Sequence, residues 1–328
     1  MSGRARKASA LASALTRLAR NLASAGRPFD LWTPPLTARD ILAASERVAR
    51  GEAEVLWADE AAPDRGLMLY APSPRETSFF GYGCARLAGP YLPPADQGRR
   101  EAGAARLAAL ALARARERRD RLATLKTGLD PAALRGLLAG GFALAETITV
   151  LALDLGLDPA RPAGPPPGFV WREGGQEPAE TLAEALGDFF YDGHLRHDQE
   201  PGPEAARRLW RQAVLDDLAG AADETVVLWD KAGGRGAGLA TAHLPAAGLA
   251  GGEEAGLSIL ALAEPYRGRG LGRHLLAELI RRLKGRAGRL RAETAAYNLP
   301  ALALYQALGF KPGPPLAALH LRYKPADH

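Results

Sequence analysis

A glycine-rich loop between a predicted strand and a predicted helix constrains the fold of this chain more than any other feature. Residues 257–262 are apolar except for Ser258, as expected of a buried strand, and the apolar positions from Leu271 onward recur at helical spacing. Gly268, Gly270 and Gly272 lie between the two segments. The order predicts an α/β layer in which the first, unpaired N–H groups of a helix are exposed at a loop. Such a helix start binds phosphate.

The charges of the loop favour the same ligand. Arg267, Arg269 and Arg273 surround the glycines, and a guanidinium group matches the geometry of a phosphate. The alternative is an ordinary strand-to-helix turn with solvated arginines. The dinucleotide-binding fingerprint does not fit, because the third glycine comes too early and no acidic residue follows a strand about 20 residues on.

A second segment runs from Asn298 through Tyr305 to Phe310, and with Arg267-x-x-Gly270-x-Gly272 it resembles the GCN5-related N-acetyltransferase (GNAT) superfamily. The resemblance implies an α/β fold with a mixed, mostly antiparallel sheet flanked by helices. It implies acetyl-CoA as cosubstrate, no metal, and Tyr305 as the acid that protonates the leaving thiolate. The implied cofactor contacts are Leu260, Ala261, Leu262, Arg267, Gly268, Arg269, Gly270, Leu271, Gly272, Arg273 and Asn298.

Helical geometry agrees with these two roles, because residues seven apart return to nearly the same face after two turns. Asn298 and Tyr305 have that separation. The alternatives are a helix cap for Asn298 and a core aromatic for Tyr305.

A closer resemblance is to the dTDP-fucosamine acetyltransferases, on residues 78–82, 189–198 and 293–294. It implies a smaller, truncated GNAT-like α/β domain at the N-terminus, a possible homodimer, and the 4-amino group of dTDP-4-amino-4,6-dideoxygalactose as acceptor. For the two histidines involved, a surface pair is the alternative, and a zinc site lacks a third ligand at suitable spacing. The implied substrate contacts are Tyr191, His194, His197, Asp198 and Thr294.

A proline-rich stretch at 159–168 predicts an interdomain linker. We expect a basic segment at 1–27, either helical or disordered, the truncated domain at 28–158, and the acetyltransferase domain at 169–328. Arginines interrupt any apolar core that a secretory signal would need at the N-terminus, and a transit peptide is the alternative to a surface helix. Within the first domain, the pattern predicts a long helix over 102–126.

The net charge of +5 comes from three basic patches on an otherwise acidic chain. Residues 1–27 and 99–126 carry +6 each and residues 264–291 carry +7, which leaves −14 for the rest. We expect the third patch to surround the pyrophosphate site, which makes nucleic acid an unlikely partner. The single Cys84 excludes an internal disulfide, and every apolar run is too short to span a membrane. A bacterial, cytoplasmic protein fits this composition.

The sequence therefore predicts an N-acetyltransferase that moves acetyl from acetyl-CoA directly to a primary amine, with a nucleotide-linked aminosugar as the expected small-molecule acceptor. One alternative is transfer to a protein N-terminus, a polyamine or another small amine. Another is a noncatalytic CoA-binding or nucleic-acid-associated module. No residue stands out in the sequence as a general base.

Overall fold

The computed structural model describes residues 9–14, 16, 45–59, 65–93, 95–157, 164–173, 179–187, 194–195, 202–244 and 254–323. The chain divides into two compact units. The first comprises Met1–Ile148 and Pro314–His328, and the second comprises Thr149–Gly313. These limits differ from the predicted domains, whose linker at 159–168 lies partly outside the described residues.

The first unit is a mixed sheet with helices. Its strands lie in the order β1-β2-β3-β4-β12-β5, and only β3 and β4 pair in parallel. Residues 9–14 and 45–50 are also helical. The elements are β1 (Glu54–Trp57), β2 (Leu67–Pro72), α1 (Pro74–Phe80), β3 (Gly83–Tyr91), α2 (Gln97–Arg118), β4 (Asp120–Gly128), α3 (Pro131–Ala139), β5 (Phe142–Asp154) and the final strand β12 (Leu316–Arg322).

The second unit begins within β5, and its strands lie in the order β6-β7-β8-β9-β10-β5, with β11 on β5. Only β9 and β10 pair in parallel among the registers of β6 to β10. The elements are β6 (Phe169–Arg172), α4 (Ala179–Gly187), α5 (Gly202–Asp216), β7 (Glu224–Asp230), β8 (Arg235–His243), β9 (Glu254–Leu262), α6 (Leu271–Leu283), β10 (Arg289–Ala295), α7 (Leu299–Ala307) and β11 (Lys311–Pro312).

The two units repeat one motif. In each, a strand is followed by a crossover helix and a parallel strand, as β3-α2-β4 and as β9-α6-β10. A parallel pair requires such a crossover, whereas the antiparallel neighbours need only short turns. The predicted fold class, a mostly antiparallel mixed sheet flanked by helices after a smaller related domain, is confirmed. Among the described helices, none is long and apolar enough to cross a membrane.

The long helix predicted over 102–126 is present, but its predicted end is wrong. Helix α2 ends at Arg118, because Arg119 adopts a left-handed conformation with φ of 59° and its N–H donates to the carbonyls of Ala115 and Arg116. Residues Asp120–Gly128 then form β4 between β3 and β12. Leucine, alanine and arginine favour a helix locally, but pairing on both sides outweighs that weak preference.

Helices α2 and α3 of the first unit pack at very short range. Gly136 of α3 lies against the α2 backbone, so that an added Cβ would overlap the Glu101 carbonyl oxygen and lie 2.8 Å from the Ala104 Cβ. Ala104 and Ala108 are fully buried in this core. Small side chains on both helices therefore set the distance between them.

We expect Gly136→Ala to lower the free energy of unfolding by about 1–3 kcal/mol, because the backbones must move apart to admit a methyl group. Gly98→Ala is the control: its Cβ would meet only the Asp96 side chain, at 3.4 Å. That change should preserve or slightly raise stability, since alanine favours helices over glycine. Urea unfolding of both variants measures the difference, and equal stabilities would contradict the packing argument.

Candidate functional site

Strands β9 and β10 part from each other after three residues. Their parallel register joins 254–256 to 289–291 and, within the described residues, ends at the pair Gly256 and Arg291. On its other side β9 stays paired with β8 as far as Leu262. The second half of β9 therefore presents an open main-chain edge within the second unit.

The main-chain groups on that edge can be assigned from the register. The N–H of Ala263 donates to Ala237 of β8, at 3.0 Å. Because alternate residues of a strand direct their N–H and C=O groups to opposite sides, Ala261 also faces β8. Leu260 and Leu262 therefore face the open edge. Of the three main-chain contacts that the sequence predicts, Ala261 is directed away from the opening.

A β-bulge interrupts β9 at the start of the open edge. Leu257 and Ile259 pair with the consecutive residues Ala242 and Thr241, so Ser258 is the extra residue. The Ile259 N–H donates to the Thr241 hydroxyl oxygen at 3.1 Å. That hydroxyl donates in turn to Asp217 Oδ2 at 2.6 Å. Both side chains are buried, and sequence reasoning missed them because their partners lie on different elements.

The glycine-rich loop has the conformation of an anion site. Gly268 and Gly270 adopt φ values of 70° and 74°, which side-chain-bearing residues rarely take, and a Cβ on either would meet open space. Gly270 is the N-cap of α6 and has no side chain to cap the first N–H groups. The first turn of α6 is thus left to bind an external anion.

The other loop residues divide into two roles. Gly272 is a packing glycine, since its Cβ would lie 3.3 Å from Leu304 of α7. Arg267 donates its Nε–H to the Leu262 carbonyl at 3.0 Å. The Arg269 guanidinium lies 5.9 Å from the centre of the Tyr266 ring. Leu271 is buried and Arg273 exposed in the first turn of α6.

Tyr266 ties this loop to the hairpin between β7 and β8. Its hydroxyl donates to Asp230 Oδ2 at 2.9 Å and accepts from Arg235 Nε at 2.9 Å. Hydrogen bonds from the Gly233 main chain and from Tyr266 hold the pKa of Asp230 below its usual value. Phe169 packs edge-on against the Tyr266 ring at 6.0 Å. The loop is therefore fixed before any ligand binds.

The helix-cap alternative for Asn298 describes what its side chain does in the structure. Its Oδ1 accepts from the Ala301 N–H at 3.3 Å, and its Nδ2 donates to Thr294 Oγ1 at 3.0 Å. Thr294, a predicted substrate contact, therefore orients Asn298. A direct cofactor contact by Asn298 stays a prediction.

Tyr305 is buried, with 5% of its surface exposed, and its ring packs on Phe310 with centroids 5.3 Å apart. Burial raises the pKa of Tyr305 to about 12. The phenol is thus a neutral hydrogen-bond donor throughout the physiological range. Within the described residues, its hydroxyl has no hydrogen-bond partner.

The third basic patch is divided between two places. Arg267, Arg269 and Arg273 lie at the loop, but Arg281, Arg282 and Arg286 lie at and beyond the other end of α6. There Arg281 and Arg282 bind Glu278 at 2.7 and 2.8 Å, and Arg282 and Arg286 bind Glu224. The expectation that the whole patch surrounds the loop is therefore wrong.

The predicted acceptor residues are described only in part. His194 lies in a turn and is half-buried. Tyr191, His197 and Asp198 lie outside the described residues, so the predicted acceptor site stays a prediction. In the described part of the chain, no three His, Cys, Asp or Glu side chains are grouped so that they could hold a metal ion.

Comparison with known proteins agrees with this geometry. The model of the acetyltransferase (GNAT) family matches residues 181–310, which include the open edge, the loop and α7. No curated protein matches the chain significantly. Several solved structures do.

A tandem GNAT protein from the clavulanic acid biosynthesis pathway is 18% identical, covering 97% of this chain and 96% of its own, with a TM-score of 0.58. A GCN5-related N-acetyltransferase from Sphaerobacter thermophilus is 18% identical, covering 98% and 95%, with a TM-score of 0.56. One from Kribbella flavida is 16% identical, covering 86% and 95%, with a TM-score of 0.51. The family model thus matches the part of the chain that contains the candidate site, and the solved structures share the fold of nearly the whole chain.

The raised pKa of Tyr305 predicts a specific loss of stability in alkali. The folded state holds this proton up to about pH 12 and the unfolded state up to about pH 10, so stability falls as the pH rises between them. Two units correspond to about 3 kcal/mol. We expect the difference in unfolding free energy between wild type and Tyr305→Phe to be constant below pH 10. Above pH 10 the unfolding free energy of the wild type should fall relative to that of the variant. Parallel urea-unfolding curves up to pH 11.5 would contradict the assignment.

Proposed function

We propose that this protein is an acetyl-CoA-dependent N-acetyltransferase and that its second unit transfers the acetyl group directly to a primary amine. The observation that carries the proposal is the open edge of β9 leading to the uncapped start of α6. An extended chain ending in phosphates fits such an edge, because a strand edge offers unpaired donors and acceptors and the helix start offers N–H groups to an anion.

The residues present fit acetyl-CoA in three respects. The loop is bare at Gly268 and Gly270, so a pyrophosphate can approach the N–H groups of α6, with Arg269 and Arg273 beside it. Leu260 and Leu262 offer main-chain groups to the pantetheine arm. Acetyl-CoA would supply the acetyl group as a thioester. An N–H on the open edge, such as that of Leu260, would stabilise the negative charge that develops on the carbonyl oxygen.

Tyr305 is the proposed proton donor to the departing sulfur. Its pKa of about 12 lies roughly three to four units above that of an ordinary thiol, so complete transfer to a free thiolate is uphill. Its contribution is therefore a hydrogen bond that strengthens as charge builds on sulfur. When the Tyr305 proton does pass to sulfur, the phenol takes up another proton that the amine has released to solvent. No covalent enzyme intermediate is proposed. Burial raises the pKa of Cys84 to about 12, which makes that thiol a poor nucleophile.

The acceptor is a primary amine, and a nucleotide-linked aminosugar is our first candidate, because residues 189–198 and 293–294 resemble the dTDP-fucosamine acetyltransferases. A screen of dTDP-4-amino-4,6-dideoxygalactose, spermidine and a peptide with a free N-terminus, followed by release of free thiol from acetyl-CoA, tests the proposal. Absence of both acetyl-CoA binding and turnover would overturn it.

Gly270→Glu should weaken acetyl-CoA binding about tenfold or more, because it places a carboxylate at the start of α6 where the pyrophosphate would bind. Gly285→Glu is a matched control. Gly285 has a φ of 78° and the same open space around it, but it lies beyond the other end of the helix. Calorimetry should give that variant a Kd within about twofold of wild type. Equal affinities for the two variants would remove the loop from the proposal.

Tyr305→Phe should lower kcat about 100-fold or more and leave the Kd for acetyl-CoA unchanged, because only the hydroxyl is removed. Tyr323→Phe, at the end of β12, is the control for loss of a phenol elsewhere. Steady-state kinetics with the best amine of the screen gives the result. An undiminished kcat would exclude Tyr305 as the proton donor.

A further inference from the structure

His243 lies in the last row of residues in which β9 and β10 are still paired. In the registers, His243 of β8 pairs with Gly256 of β9, and Gly256 pairs with Arg291 of β10. Cross-strand partners share a face of the sheet. Within the described residues, no heavy atom lies within 4 Å of the position that a Cβ on Gly256 would occupy. An open slot therefore lies between His243 and Arg291 at the closed end of the opening.

This slot lies on the face of the sheet away from α6. Glu224 pairs with Ala242, the neighbour of His243, and Glu224 is bound by Arg282 and Arg286 at the end of α6. Successive side chains alternate between faces, so His243 and Thr241 point the other way, toward Asp217 at the end of α5. The slot beside His243 thus lies at the end of the open edge of β9, on the face of the sheet opposite α6.

The Asp217 carboxylate lies beside the imidazole of His243. Its Oδ1 lies 3.8 Å from His243 Nε2, while its Oδ2 accepts the hydrogen bond from Thr241. The carboxylate is almost fully buried, but the imidazole keeps 47% of its surface exposed. One ring nitrogen therefore faces a fixed negative charge, and the other is accessible from solvent.

The other charged groups near the row already have partners. Arg291 binds Glu293 at 2.8 Å and lies 3.9 Å from Glu254. Asp223 accepts the N–H of Leu244, the residue after His243, at 2.8 Å. None of these carboxylates is a buried charge beside an exposed imidazole, as Asp217 is beside His243.

We propose that His243 is the general base that removes a proton from the acceptor ammonium group and that Asp217 is its positioning residue. The inference rests on the proposed N-acetyltransferase function. With Nε2–H directed to Asp217, the lone pair on Nδ1 takes the proton, and the buried carboxylate stabilises the imidazolium that forms.

The proton and bond changes balance without another reactant. The ammonium nitrogen loses one proton to His243, which passes it to solvent, and the freed lone pair forms the new C–N bond as the C–S bond breaks. The nitrogen then releases its second proton through water, and sulfur gains one by way of the Tyr305 hydroxyl. The products are an amide, a free thiol and one proton in solution.

The first test measures the histidine itself in the full-length protein without any ligand. The imidazole nitrogen signals of wild type are recorded by NMR with the rings in their neutral form, and the signals missing from His243→Gln identify His243. We expect Asp217→Asn to shift this ring from the Nε2–H toward the Nδ1–H tautomer, because the carboxylate that faces Nε2 is lost. An unchanged tautomer would overturn the role of Asp217.

The second test compares two nucleophiles with acetyl-CoA: the best primary amine of the screen and hydroxylamine, whose nitrogen is unprotonated at neutral pH. His243→Gln should reduce kcat/KM about 100-fold with the amine, since a general base typically contributes that much. With hydroxylamine the reduction should stay within about threefold. The Kd of the His243→Gln variant for acetyl-CoA and its unfolding midpoint should match those of the wild type.

Gly256→Val keeps every titratable group but fills the slot. We expect it to raise the KM for the amine about tenfold and to leave the Kd for acetyl-CoA unchanged. If His243→Gln loses both nucleophiles equally, or neither, His243 is not the base, although the acetyltransferase proposal stands. If wild type neither binds acetyl-CoA nor transfers acetyl, the function and this inference fail together.

Discussion

The early separation of β9 from β10 is the constraint on which the candidate site depends. A paired strand has no free main-chain groups, so a substrate can use β9 only where β10 has left it. The bulge at Ser258 lies where the separation begins, and bulges bend a strand and increase its twist. The Thr241 hydroxyl accepts the Ile259 N–H next to the bulge and donates in turn to the buried Asp217, which fixes the bend from the buried side.

The two units differ in the features on which the proposed anion site depends. In the first unit the parallel pair of β3 and β4 continues over five residues of β3, from Gly83 to Leu87. The helix that follows is capped by Asp96, whose carboxylate accepts from the Arg99 N–H. In the second unit the pairing is shorter and the helix cap is a bare glycine. An acid at a helix start neutralises the same partial charge that an external phosphate would use.

Burial gives Tyr305 two properties that oppose each other. It keeps the phenol protonated and holds the ring rigidly against Phe310, and it also makes the phenol a weaker acid. In the proposed mechanism the buried Tyr305 donates a proton to sulfur, and the half-exposed His243 accepts one from the amine. The half-exposed base can exchange its proton directly with solvent, and the buried donor keeps its proton until charge develops on sulfur.

Much of the site follows from local sequence. The glycines at 268 and 270, the helix from Leu271 and the cap at Asn298 were all predictable, because each depends on backbone conformation within a few residues. The strand at Asp120–Gly128 was not, since its residues favour a helix and only β3 and β12 on either side make it a strand. Propensities of a few tenths of a kcal/mol per residue yield to a complete set of strand hydrogen bonds.

The conformation of the glycine-rich loop and the mixed α/β class could both be predicted from the sequence, because each depends on residues that are close together in the chain. The tertiary structure was needed to show that Ala261 faces β8 and that Gly272 serves helix packing. It also showed that three of the nine basic residues of the third patch are paired with Glu278 and Glu224. It alone brought Asp217, Thr241 and His243 together, from the end of a helix and one strand. Strand register and contacts between elements depend on segments that are far apart in the sequence, so a local pattern cannot predict them.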